Sequence, residues 1–87
     1  MQIEVKKQFL KDVENLPKDT RVAIKGIVLA IEQAESIHDI GDIKKLTGYK
    51  EYYRVRIGQY RLGFAFANET VILARCLHRR EIYRFFP

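Results

Sequence analysis

An α+β fold is predicted by three features of the sequence: a short N-terminal strand, a two-helix hairpin packed on an antiparallel sheet (β-α-α-β-β-β), and a short C-terminal helical segment. The first half carries apolar residues at helical spacing. From Glu51 onward the period changes to two. Two short polar breaks then divide the second half into three strand-length runs. No repeat, low-complexity tract or linker interrupts residues 1–87, so one domain is expected.

Each element has a local reason. Met1 to Val5 alternates weakly, as a short strand does. Phe9, Leu10, Val13 and Leu16 follow helical spacing, and Pro17 stops that helix. Asp19 and Thr20 are N-cap candidates for a second helix, where Ile24, Ile27, Val28, Ile31 and Ala34 make one apolar stripe. Ser36 to Gly48 reads as a loop punctuated by Gly41 and Gly48. Tyr53, Val55 and Ile57 share one strand face, and Tyr52, Arg54 and Arg56 the other. Gly58-Gln59 turns the chain into Tyr60–Ala67, where Leu62, Phe64 and Phe66 face the core opposite Arg61, Gly63 and Ala65. Asn68-Glu69 is the next turn, and Thr70 to Leu77 the last strand. Arg75 has no clear side, because the run around it is apolar on both faces. With the helices covering one sheet face, the other is left open to a ligand. Phe85-Phe86-Pro87 needs cover, either from the sheet or from a partner.

Sixteen Lys and Arg against eleven Asp and Glu give a net charge of +5 and a pI near 9.5, which favours a polyanion or an acidic protein as partner. Cys76 is the only cysteine, in an apolar run, so it forms no internal disulfide and reads as a buried thiol. Ile27 to Ile31, the longest apolar run, is far short of the roughly 20 residues of a membrane span. No long apolar stretch follows the N-terminal charges. A soluble, cytoplasmic protein with no membrane partner is expected.

The last third concentrates arginine at Arg54, Arg56, Arg61, Arg75, Arg79, Arg80 and Arg84, interleaved with apolar residues at strand spacing. A guanidinium is always charged and presents a rigid fork of donors that fits phosphate. Any one of these side chains can be a solvated charge that blunts a strand edge. As a set with Tyr83 beside it, they read as a site for a polyanion.

The motifs resemble those of the RelE/ParE superfamily of type II toxins. Lys45-Leu46-Thr47-Gly48 followed by Arg54-Val55-Arg56-Ile57-Gly58-Gln59-Tyr60-Arg61 is similar to the family's "L-x-G … R-x-R-x-G-x-Y-R" pattern. Arg75-Cys76-Leu77-His78-Arg79-Arg80-Glu81-Ile82-Tyr83 is similar to its "R-x-x-H-R-x-x-x-Y" pattern. RelE-type members cut messenger RNA in the ribosomal decoding site, and ParE-type members poison DNA gyrase. The resemblance carries the catalytic arginines onto Arg61 and Arg79 and the catalytic tyrosine onto Tyr83. Positions often held by lysine fall on Arg54 and Tyr52, so a lysine-like general base is missing there.

The reading that follows is a ribosome-dependent, metal-independent endoribonuclease. Attack by the 2′-hydroxyl needs a proton acceptor, stabilisation of the phosphorane, and a proton for the departing 5′-oxygen. Arg61 and Arg79 would hold the phosphorane. His78 is either the base or a structural histidine at the strand end. Tyr83 would stack on a base, orient the 2′-hydroxyl or accept its proton, or else cover the core edge. Arg54, Arg56, Tyr52 and Arg80 would bind RNA. No Asp/Glu/His set has divalent-metal spacing, so no cofactor is expected. The implied partners are an acidic antitoxin and ribosome-bound messenger RNA, with DNA reached only through the antitoxin. A ParE-like gyrase inhibitor, or a weak relative kept for an antitoxin-bound repressor complex, is the alternative.

Overall fold

The computed structural model describes residues 1–87. In chain order it forms β1 (Gln2–Val5), α1 (Lys7–Glu14), α2 (Lys18–Gln33), a 3-10 turn (Ile37–Asp39), β2 (Ile43–Lys45), β3 (Tyr52–Ile57), β4 (Tyr60–Ala67), β5 (Thr70–His78) and α3 (Ile82–Phe85). The strands make one sheet in the order β1-β5-β4-β3-β2. Three of its pairings are antiparallel, while β1 runs parallel to β5. The expected α+β architecture is therefore present, with one parallel edge and one additional strand.

Alternation puts Val55, Leu62, Phe64, Val71, Leu73 and Cys76 on the helix side of the sheet. There they are buried with Phe9 of α1 and Ile24 and Ile31 of α2. Burying each such side chain contributes about 1.5–3 kcal/mol. Tyr53 stacks on Phe64 with ring centroids 5.4 Å apart. The hairpin turns agree with their residues. Asn68 and Glu69 both adopt positive φ, as a two-residue turn matched to strand twist demands.

Two local expectations are corrected. Asp19 and Thr20 do not cap α2. The helix starts earlier, at Lys18, with Pro17 in the N-cap position two residues before Asp19, where its missing N–H costs nothing. Asp19 instead lies in the first turn, where its negative charge favours the helix dipole. The stretch from Ser36 to Gly48 is not simply a loop. Ser36 and Asp39 cap the 3-10 turn reciprocally, Ile37 and Ile40 are buried, and β2 adds an edge strand to β3.

The ambiguity at Arg75 has a physical cause. Phe64 pairs with Leu73 and Gly63 with Arg75, so Ala74 is an extra residue and the alternation of β5 changes phase there. Arg75 then turns to the open side. β1 pairs only with residues 70–73 of β5, and α1 lies along the rest. Asp12 of α1 closes that edge. Its carboxylate accepts the Cys76 N–H at 3.0 Å, the Arg75 Nε–H at 2.8 Å and the Arg75 Nη2–H at 3.2 Å. Arg75 is thereby committed to structure. No helix is long and apolar enough to cross a membrane.

Candidate functional site

Strand register arranges the open face in rows. Arg56 stands directly opposite Arg61, and Lys44 opposite Arg54, which in turn faces Gly63. Like charges placed opposite one another across strands are destabilising. A fold that accumulates them is holding positive charge in one place at a cost.

Hydrogen bonds aim this charge. The β3–β4 turn, with Gly58 at φ +56°, directs two carbonyls at Arg61. Arg61 Nη1 donates to Gly58 O at 2.8 Å and to Tyr60 O at 2.9 Å, leaving the rest of the fork unspent. Asp42, in the turn before β2, accepts from Arg54 Nη1 through its carbonyl at 3.3 Å. Its carboxylate accepts from Arg56 Nη2, also at 3.3 Å. That ion pair is exposed on both sides and adds little stability. Arg54 Nε is buried without a partner.

The acidity of Arg61 reports what surrounds it. Its pKa is pushed below the usual guanidinium value, first by desolvation and then by the positive charge of Arg54. Arg56 and Arg79 push the same way, and the Tyr83 phenol opposes them. Arg61 therefore lies within electrostatic reach of Arg54, Arg56, Arg79 and Tyr83. Arg79 comes from the turn after β5, where its backbone N–H donates to Gln59 O at 2.8 Å. Tyr83 comes from α3 and is 58% exposed.

The C-terminal segment is held by a backbone fit. A Cβ on Gly63 would come within 2.5 Å of the Phe86 ring, so glycine leaves the space that Phe86 fills. Phe86 is 3% exposed and meets Tyr52 edge-on at 5.5 Å between centroids. The apolar ending thus folds onto the sheet, while Phe85 remains exposed beside Arg75.

The structure brings Arg54, Arg56, Arg61, Arg79 and Tyr83 together, with Tyr52 beside them on the same face. It does not bring in His78. By register His78 pairs with Tyr60, two residues from buried Cys76, and so points to the helix side of the sheet. Its ring packs edge-on against Tyr60 at 5.6 Å, and its Nδ1 accepts the Arg80 N–H at 3.2 Å. A catalytic base at His78 is set aside for a structural strand-end histidine. Arg80 is exposed in the following turn and is not among the charges acting on Arg61.

Three residues were missed. Lys44, Lys45 and Tyr49 border a cleft of about 460 Å³ against Tyr83, Phe86 and Pro87. The signal was faint, because a three-residue strand between two glycines leaves almost no periodicity to read. β2 sets Lys44 directly opposite Arg54 on the open face.

A family described as "ParE toxin of type II toxin-antitoxin system, parDE" matches residues 3–83. The chain belongs to the RelE/ParE superfamily of type II toxins. On the RelE branch, this toxin is 41% identical to Toxin RelE3 of Methanocaldococcus jannaschii over the full length of both chains. It is 32% identical to Putative toxin RelE1 of the same organism, over 91% of this chain and 89% of that one. The toxin in the RelB-RelE antitoxin-toxin complex from Methanococcus jannaschii superposes with a TM-score of 0.83. It is 40% identical, over 97% of this chain and 99% of that one. The toxin of the intact E. coli RelBE complex, at 19% identity and a TM-score of 0.68, shares the fold over 86% of this chain and 92% of that one.

Proposed function

We propose that this toxin is a ribosome-dependent endoribonuclease that cleaves messenger RNA without a metal ion, and that a cognate antitoxin neutralises it. The observation that carries the reading is that Arg56 stands opposite Arg61 with Arg54 on the same face, and that Arg79 and Tyr83 lie within electrostatic reach of Arg61. Such a face suits a phosphate that gains negative charge as it reacts.

In the reaction, the 2′-oxygen attacks the adjacent phosphorus and the 5′-oxygen leaves, giving a 2′,3′-cyclic phosphate and a new 5′-hydroxyl. Arg61 and Arg79 hold the phosphorane oxygens. Tyr83 orients the 2′-hydroxyl and accepts its proton as the phenol's own proton passes to the departing 5′-oxygen. Arg54, Arg56 and Lys44 bind flanking phosphates. No three carboxylate, histidine or cysteine side chains converge to hold a metal. A site of guanidinium groups and one phenol, with no strong base, depends on substrate delivered in reactive geometry. Positioning of that kind lowers a barrier by about 7–11 kcal/mol in the best cases. The ribosome supplies it.

The test compares purified toxin on naked RNA and on programmed ribosomes, with magnesium added only as the ribosome requires. Ribosome-bound message is expected to be cut quickly and naked RNA slowly or not at all. Rapid magnesium-dependent cutting of naked RNA overturns the mechanism. Tyr83→Phe in the same assay should lose most of the rate, and little loss would reduce Tyr83 to stacking. The matched family is described by its ParE members. A second reading as a gyrase inhibitor therefore predicts arrest of DNA replication before translation, and one induction experiment separates the two.

A further inference from the structure

The molecule has two ion pairs of different character. Asp12 and Arg75 meet at 2.8 Å with little of either side chain exposed, and the same carboxylate takes the Cys76 N–H. Arg56 and Asp42 meet through a single contact at 3.3 Å, with side chains 57% and 59% exposed. The first pair closes a sheet edge. The second sets a carboxylate against the arginine face, where no other carboxylate pairs with an arginine.

Asp42 reaches both arginines of β3. Its carbonyl accepts the Arg56 N–H at 3.2 Å and the Arg54 Nη1–H at 3.3 Å, while its carboxylate accepts from Arg56 Nη2. The backbone contacts require only a residue that tolerates φ +56°, which glycine adopts without steric cost and asparagine adopts readily. Glycine stands one position earlier, at Gly41, where no positive φ calls for it. What aspartate brings to this position is a negative charge.

That charge stands where the proposed reaction brings another, since Arg54 and Arg56 are assigned to phosphates flanking the cut. A carboxylate and a phosphate make the same kind of contact with a guanidinium fork, so one leaves before the other binds. An exposed pair changes an equilibrium by no more than about fivefold, and its single contact leaves most of the Arg56 donors unused. RNA can therefore open the pair, at a small cost in affinity. The ribosome presents its message at high effective concentration, where such a cost leaves occupancy almost unchanged. RNA arriving from solution bears it in full. Resting on the ribonuclease reading, we propose that Asp42 is a specificity-determining residue. It stands in for an RNA phosphate, competes for Arg56 and Arg54, and so disfavours RNA that the ribosome has not positioned.

The experiment uses the intact toxin and a single-stranded RNA oligomer made uncleavable by 2′-O-methyl groups, with affinity measured across a salt series. Asp42→Asn keeps the carbonyl and the backbone conformation and removes only the charge. It should bind the oligomer about three- to fivefold more tightly at low salt. The slope of log affinity against log salt should steepen by about 0.7, the signature of one further phosphate contact. Asp42→Gly, which also relaxes the backbone, should show the same gain. Glu32→Gln is the control: it removes an equal charge from α2, on the other side of the sheet, and should change neither quantity. Unchanged affinity and slope in both Asp42 variants overturn the proposal, as does an oligomer that no form of the toxin binds. Weaker binding overturns it too, and makes Asp42 a support that orients the two arginines. An equal gain from Glu32→Gln reduces the effect to net charge and overturns it as well. On cleavable message, Asp42→Asn should lower the preference for programmed ribosomes over naked RNA by the same three- to fivefold, and an unchanged preference overturns the assignment to specificity. Tighter binding by a toxin that cuts neither substrate would fail the ribonuclease reading instead, with the competition at Arg56 still measured.

Discussion

Arg61 and Arg79 reach the cluster by different routes. The first is aimed by two turn carbonyls, the second by a backbone hydrogen bond at the end of β5. Neither side chain is buried in the core, so truncation should spare the fold. Arg61→Ala and Arg79→Ala are expected to relieve growth inhibition at equal expression. Each should lower the cleavage rate by about 10²–10³, the usual cost of one lost transition-state donor, with an unchanged melting temperature. Arg61→Lys should also be impaired, since a point charge does not replace a fork. Cys76 makes the opposite case. It is fully buried, and desolvation together with the Asp12 carboxylate pushes its thiol from 9.0 up to about 12. Alkylating reagents should leave it untouched at neutral pH until the protein unfolds, as a thiol count before and after denaturation would show. The unfolded chain loses this proton more readily than the folded one. This contribution to stability is therefore complete below pH 9 and disappears as pH rises toward 12, where the melting temperature should fall.

At the scale of elements, α3 and the residues after it are held by buried Ile82, by Tyr52 edge-on to Phe86, and by the Phe86 ring seated on Gly63. Gly63→Ala would push a methyl group into that ring and expel the segment, carrying Tyr83 away from Arg61. Activity should drop sharply while the helix-side core persists. Adding Phe86→Ala should recover stability without recovering activity, a split that paired melting and cleavage assays would read. This contact was not legible in the sequence, because glycine opposite arginine in a strand looks only like a weak point. Strong periodicity made the rest plain: the α2 stripe, the alternation of β3 and β4, and both turns. β2 was invisible at three residues. The phase of β5 was hidden because the bulge at Ala74 leaves apolar residues on both faces. The shared face of Arg54, Arg56 and Arg61 was readable from strand parity, while Arg79 and Tyr83 joined the candidate site only through the family motif. The place of His78 also follows from parity, counted two residues forward from Cys76, since the bulge lies upstream of both.

Over the whole molecule the charge is uneven. Arg54, Arg56, Arg61 and Lys44 occupy one sheet face, while the helix side of the sheet is apolar. An antitoxin that covers the basic face would present acidic residues, on a segment that folds as it binds. Its affinity should then fall as salt rises from low to physiological strength and beyond, because exposed charge pairs are screened over about 8–10 Å. Calorimetric titration across a salt series would show the trend. An affinity indifferent to salt would place the interface on the apolar helix surface, where Val22 and Leu29 are exposed.

The parallel pairing of β1 with residues 70–73 has a consequence for the order of events during synthesis. The first strand to be made has no neighbour until the fifth exists, and the fifth occupies a central place in the sheet. A chain still being translated can form its helices, whose contacts are local, but it cannot complete the sheet. The arginines from β3, β4 and the turn after β5 come into one constellation only when that late strand docks. Phe86 and Tyr83 are added later still. A growing chain thus lacks the complete arginine constellation until β5 has been made and has docked between β1 and β4.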